Sequence, residues 1–165
     1  MSDLSIEPKN EVVTVLRARL TDPNSASRPA STQWIFTGRP RRNLGQSHFP
    51  RIRVEQVTET SRISDISRKS KYFTHIQIDV YVWQGVDGKD PHIIAISGTN
   101  YEGDKLLDYI ARDVISALDD NKSDFDDDTN ALFNFKLLAN LPSRDDEDQP
   151  QVRVKTVEVA FDYYR

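Results

Sequence analysis

Residues 72–84 read Tyr72-Phe-Thr-His-Ile-Gln-Ile-Asp-Val-Tyr-Val-Trp-Gln84, a run free of Gly and Pro in which most positions are β-branched or aromatic. Successive side chains of a strand point to opposite faces. Tyr72, Thr74, Ile76, Ile78, Val80 and Val82 therefore share one side and are predicted to line a core. Phe73, His75, Gln77, Asp79, Tyr81 and Trp83 share the other, which is predicted to be wet at its middle and aromatic at its end.

The neighbouring segments extend this strand into a sheet. Upstream, Arg51-Ile-Arg-Val-Glu-Gln-Val-Thr-Glu59 begins with the same alternation, and Trp34-Ile-Phe36 is a candidate short strand. Downstream, Val86-Asp-Gly-Lys-Asp90 is a turn by its Asp-Gly pair, and residues 92–97 are expected to pair back on the long strand. Two further strands are predicted at 132–138 and 152–164. In the last, Val152 and Val154 have one parity while Val157, Val159, Phe161 and Tyr163 have the other. A β-bulge near Lys155–Thr156 is the expected remedy.

Two helices complete the set. Residues 5–20 carry Val12, Val13, Leu16 and Leu20 at helical spacing, with Ser5 as a possible cap, Pro8 tolerable only in the first turn, and Thr21-Asp-Pro-Asn24 as a stop. Residues 101–121 place Leu106, Leu107, Ile110, Val114, Ile115 and Leu118 on one stripe, with Lys105, Asp108, Arg112 and Asp119 facing away. The order helix, strands, helix, strands predicts an α+β fold: an antiparallel or mixed sheet of about four to five strands with two helices packed on one face. The 165 residues fit one domain, 1–165, carrying extended loops at about 21–48, 121–130 and 143–151. No internal repeat is visible.

Composition narrows the function classes. Apolar residues make up 37% of the chain, below the roughly 45–50% of typical soluble domains. Seven Phe, six Tyr and two Trp nonetheless supply a core. No apolar run approaches the ~18 residues of a membrane helix, and the start Met1-Ser-Asp-Leu4 is polar. Neither a secreted enzyme nor a membrane protein is expected. The absence of Cys excludes disulfides, thiolate metal sites and cysteine nucleophiles. Asp outnumbers Glu 19 to 7 and Arg outnumbers Lys 14 to 8, the kind of surface expected in concentrated salt.

Motifs for catalysis or metal binding fail on spacing. Asp124, Asp126 and Asp128 alternate like calcium ligands, but the loop lacks the Gly and the closing Glu of such a site, so it reads as solvated. His48, His75 and His92 show no metal-site spacing, and His75 reads as a surface residue. Gly85-Val-Asp-Gly-Lys89 is a hairpin turn without the context of a phosphate loop, and Ser97-Gly98 is no nucleophile elbow. No cofactor is implied, and a small hydrolase is the least favoured class.

Charge is the informative feature. Residues 28–71 hold ten cations and three acids, net +7, against −1 for residues 1–27 and −10 for residues 72–165. Arg39, Arg41, Arg42, Arg51, Arg53, Arg68, Lys69 and Lys71 are the candidate contact residues. Such segregation fits a nucleic-acid-facing surface, a complementary contact between like subunits, or internal neutralisation of the acidic half. Sequence-specific DNA reading is not expected, because no helix carries the cluster and no aromatics interleave with it.

The order of elements resembles the tail terminator (tail completion) proteins of long-tailed viruses, the family of the phage lambda tail terminator. The likeness rests on a short leading helix, a loop, and Phe49-Pro-Arg-Ile-Arg-Val54 as a strand. It continues through Thr74-His-Ile-Gln-Ile-Asp-Val-Tyr-Val-Trp83 and the helix Gly103-Asp-Lys-Leu-Leu-Asp-Tyr-Ile-Ala-Arg-Asp-Val-Ile-Ser-Ala-Leu118. It closes on Val157-Glu-Val-Ala-Phe-Asp-Tyr163. It covers roughly two-thirds of the chain; the basic loop at 21–48 and the acidic insertions at 121–130 and 143–151 depart from it.

The resemblance implies a structural virion protein without catalysis. Such a protein forms a ring, commonly a hexamer, which caps the tail tube and joins it to the neck at the head–tail junction, after assembly in the host cytoplasm. Its implied partners are further copies of itself, a tail tube protein, a neck or head-completion protein, and genomic DNA passing non-specifically through the channel; no membrane is involved. Combined with the Asp and Arg bias, it is compatible with a virus of a halophilic archaeon. The competing readings are another neck, head-completion or tube ring protein, and a non-specific nucleic-acid-binding module using residues 28–71. A ring needs one face of a subunit to meet a different face of its neighbour, which oppositely charged regions would suit. That favours subunit or neck contacts for Arg39, Arg41 and Arg42 over a channel role.

Overall fold

A computed structural model of the chain describes residues 7–62, 71–120 and 132–164. The fold is α+β, with a mixed six-stranded sheet, a separate two-stranded sheet and two helices. The main sheet runs in the order β1 (Ile35–Thr37), β2 (Arg51–Arg62), β3 (Lys71–Trp83), β8 (Val152–Tyr164) and β6 (Phe133–Asn140), with the two-residue β7 (Arg144–Asp145) also pairing with β8. It has more strands than expected because β1 joins one edge, parallel to β2, and β7 adds a third partner to β8. All other pairs in it are antiparallel.

The central ladder pairs β3 with β8 without interruption, from Lys71↔Tyr164 to Trp83↔Val152. The bulge expected at Lys155–Thr156 is therefore absent. Both parities of β8 are buried instead: Val157, Val159, Phe161 and Tyr163 enter the main core, while Val152 and Val154 enter a second cluster with Phe49 and Tyr81 on the opposite face. The irregularities fall on the partner strands, between Gln56 and Thr58 in β2 and twice along β6.

Both helices pack on the first face. α1 (Pro8–Arg19) contributes Val12, Val13 and Leu16, and α2 (Gly103–Asp120) contributes Leu106, Leu107, Ile110, Val114 and Leu118. They cover Ile52, Val54, Ile76, Ile78, Val80 and Val82, the face the alternation assigned to the core. The exposed side of α2 carries Lys105, Asp108, Arg112 and Asp119, as expected. Helix α1 has Glu7 at its N-cap position with no side-chain cap, and Pro8 where its missing N–H costs nothing. Ser5 lies outside the described residues. Arg17 ties α1 to the sheet edge, donating to the Ile35 carbonyl at 2.7 Å and to Gln33 at 2.6 Å.

Two expectations need correction. Residues 92–97 do not pair back on β3, since both edges of β3 are taken by β2 and β8. β4 (Ile94–Ile96) instead pairs with β5 (Thr99–Tyr101) across Ser97-Gly98. Both turn residues have positive φ, 50° and 81°, which suits a tight two-residue hairpin. Tyr101 thus belongs to β5 rather than to α2.

The second face of β3 is also drier than predicted. Asp79 is only 2% exposed. It accepts hydrogen bonds from the Thr156 hydroxyl at 2.7 Å and from Gln77 at 3.0 Å, with Arg53 3.6 Å away. The loop at 44–49 and the start of β8 close over this side, where Leu44 and Trp83 pack on Phe49 and Tyr81. His75 is half-buried beside Glu158, at 3.5 Å, and is not a free surface residue.

Candidate functional site

The basic segment is laid out by a loop with internal order. Asn24 is buried, and its side-chain amide donates to the carbonyls of Ser47 at 2.8 Å and Phe49 at 3.0 Å. Arg28 holds Asp22 with two donors, at 2.5 and 2.9 Å, and reaches the carbonyls of His48 and Pro50. A guanidinium offers five donors in a rigid fork, so this single side chain closes 21–50 into a packed loop and spends its charge doing so.

Several candidate cations are neutralised within the chain. Arg53 lies against Glu55 and Asp79 and donates to the Gly38 carbonyl at 2.9 Å. Lys71 meets Asp162 at 3.0 Å. Arg42 reaches Asp148 at 2.9 Å, but both side chains are more than half exposed, a pair of little energetic weight. Arg68 and Lys69 lie outside the described residues, as does the 121–130 loop with its alternating Asp. Internal neutralisation therefore accounts for Arg53 and Lys71, while Arg42 keeps only an exposed partner.

Arg39, Arg41 and Arg51 remain, and the structure brings these three together. They border a recess of about 290 Å³ that is also lined by Ser31, Thr32, Gln33, Phe36 and Thr37. Arg39 and Arg41 are exposed and pair with no carboxylate among the described residues. Arg51, first residue of β2, is 6% exposed, and its Nε has no hydrogen-bond partner among the described residues. Its guanidinium carbon sits 3.9 Å from the Phe36 ring centroid, a cation–π contact. Burial, followed by the charges of Arg28 and Arg41, pushes its pKa down to about 10.

The same field acts on nearby groups. Burial and then Arg51, Arg28 and Arg41 lower the pKa of His48, whose Nδ1 lies 2.5 Å from the Thr32 hydroxyl. Burial and then Arg28 lower that of His92. Tyr81 is pushed up to about 12 by burial and the charge of Asp79, against the opposing pull of Arg53. Around Arg51 and His48 the guanidinium charges favour an added negative charge, whereas at Tyr81 burial and Asp79 oppose one.

Two other features escaped the sequence reading. A cleft of about 430 Å³ lies between the end of α1, β4 and α2, with Trp34, Ile96, Tyr109 and Asp113 on its walls. Burial raises the Asp113 pKa, opposed by Arg112 and a hydrogen bond from Tyr109. At the sheet edge opposite β1, the outer strand β6 exposes Leu137 (45%) and Leu138 (44%), and Leu141 beyond it is also exposed. The adjacent Leu-Leu pair was the available signal, because neighbours on a strand cannot both face one core. No helix among the described residues is long and apolar enough to cross a membrane. No family model and no curated protein sequence matches the chain.

Proposed function

We propose that this chain is a ring-forming structural protein of a tailed virus, a tail terminator that caps the tail tube and joins it to the neck. The observation that supports this reading is the difference between the two sheet edges. One edge strand, β6, has no strand on its outer side among the described residues and bears exposed leucines; the other, β1, leads into a loop with Arg39 and Arg41, which meet no carboxylate among the described residues. An open edge with apolar side chains is a template for pairing with another chain. Two unlike edges on one subunit suit head-to-tail contacts, which close into rings when the rotation per step permits. The element order that carries the resemblance to tail terminators agrees with this arrangement, and internal Arg–carboxylate pairs such as Arg28–Asp22 suit a protein working in high salt.

The test is assembly. Light scattering and negative-stain images of the purified chain with tail tubes should show rings at tube ends, and Leu138→Asp should abolish them while leaving the circular dichroism spectrum unchanged. A chain that stays monomeric and ignores tail tubes would refute the reading.

A further inference from the structure

We propose that the recess bordered by Arg39, Arg41 and Arg51 is a binding site for a phosphate-type oxyanion. The inference goes beyond the ring reading: it shares Arg39 and Arg41 with that edge but concerns a pocket within one subunit.

Arg51 carries the argument. Buried side-chain donors in native proteins are almost always partnered, and a buried charge without a counter-charge is costly. Arg51 is 6% exposed with an unpartnered Nε. The strand that carries it is fixed on both sides, by β1 and β3. The Phe36 ring covers one face of the guanidinium at 3.9 Å, which holds the plane of the fork but accepts no hydrogen bond. The neighbouring charges worsen the imbalance: Arg28 and Arg41 both disfavour the charged form of Arg51. Arg28 is answered by Asp22, whereas Arg41 and Arg39 have no carboxylate partner among the described residues. The lining of the recess holds three guanidinium groups and no carboxylate, although Arg41 and Arg51 also border a smaller space beside Asp146 and Gln149.

The donor set argues for phosphate over carboxylate. Three guanidinium groups and the hydroxyls of Ser31 and Thr37 border the space, more donors than two carboxylate oxygens readily engage. Guanidinium forks bind phosphate oxygens in pairs, and a tetrahedral group offers oxygens toward several walls at once. The volume, about 290 Å³, admits a phosphate with part of whatever it is esterified to. Such a close, partly buried contact is screened less by salt than diffuse surface attraction.

The experiment uses the full chain, free of tail tubes, so that its outcome is independent of ring assembly. Inorganic phosphate is titrated at fixed ionic strength against chloride and acetate, with the melting temperature and the Arg51 Nε–Hε NMR signal as readouts. Phosphate should raise the melting temperature saturably and shift the Arg51 signal, whereas chloride should do neither. The variant R39Q/R41Q alters only exposed side chains, so it should melt within about one degree of the parent in chloride. Its apparent Kd for phosphate should be roughly tenfold weaker. Absence of a saturable phosphate effect, or an unchanged Kd in that variant, would overturn the proposal. So would an equal response to acetate, which would point to a carboxylate of a neighbouring chain. Short duplex DNA added to the phosphate-loaded chain identifies the source. Displacement supports a site for the nucleic-acid backbone, and retention of bound phosphate supports one for a small phosphate ester.

Discussion

Replacing Asp79 by Ala tests whether the second face of the sheet is a true interior. The carboxylate is 2% exposed and receives the Thr156 hydroxyl at 2.7 Å and Gln77 at 3.0 Å, with Arg53 at 3.6 Å. Its removal leaves the buried Thr156 hydroxyl without its acceptor, a loss of about 1–3 kcal/mol. Breaking a buried ion pair from one side costs about 3–5 kcal/mol. That figure is an upper limit here, because Arg53 keeps Glu55 and the Gly38 carbonyl and is partly exposed. The two contributions overlap, and together they place the loss near 3 kcal/mol. For a chain of this size about 2–4 °C accompanies each kcal/mol, so the melting temperature should fall by roughly 6–12 °C. Thermal unfolding followed by circular dichroism measures it directly. Asp79→Asn keeps an acceptor for Thr156 and should lose only about 1 kcal/mol. A double-mutant cycle with Thr156→Val should show coupling of at least about 1 kcal/mol. A melting temperature for Asp79→Ala within about 2 °C of the parent would refute the assignment of Asp79 to a buried network.

Two further outcomes follow from local geometry. Gly85 has φ +76°, and a Cβ there would lie 2.7 Å from the Asp90 backbone, so Gly85→Ala should destabilise by about 3 kcal/mol in urea unfolding; an effect below about 1 kcal/mol would contradict the turn. His48 and His92 have folded-state pKa values below their ordinary 6.5, so between those lowered values and 6.5 the unfolded chain binds more protons. Stability is then fully present above pH 6.5 and declines as pH falls below it, and the double variant H48Q/H92Q should flatten that slope in urea titrations at pH 7.5 and 5.5, an unchanged slope counting against the assignment.

Much of the frame was legible because periodicity is a local property. The alternation of residues 72–84 marked β3 and its core face, and the 3.6-residue stripe from Leu106 to Leu118 marked α2. What periodicity cannot express is which element covers a face. Val152 and Val154 looked out of phase only on the assumption that one side of β8 is dry. The 44–49 loop and Tyr81 make the other side dry as well, so no bulge is needed. Residues 92–97 had strand composition, but their partner depended on the edges of β3 being occupied by strands far away in sequence.

The candidate site shows the same limit. The excess of cations in 28–71 was countable, but their partners were not. Arg53 meets Asp79 from the next strand and Arg42 meets Asp148, 106 positions away. The count of +7 for residues 28–71 thus concealed two populations, cations that hold the fold together and a smaller set that faces the recess. Arg51 and Arg53 share one face of β2 and differ only by two positions along it. The first reaches Phe36 and the recess, the second carboxylates.

The β3–β8 ladder has a consequence for synthesis on the ribosome. It joins residues 71–83 to residues 152–164, and β6 in turn pairs, among the described residues, with β8 alone. Contacts so distant in sequence form late, since a long loop must close before they reward it. Until residue 164 has left the exit tunnel, β3 has one unsatisfied side and the leucine-bearing strand has no place to dock. A nascent chain therefore cannot form the β6 edge of the sheet until residues 152–164 are free to pair with it.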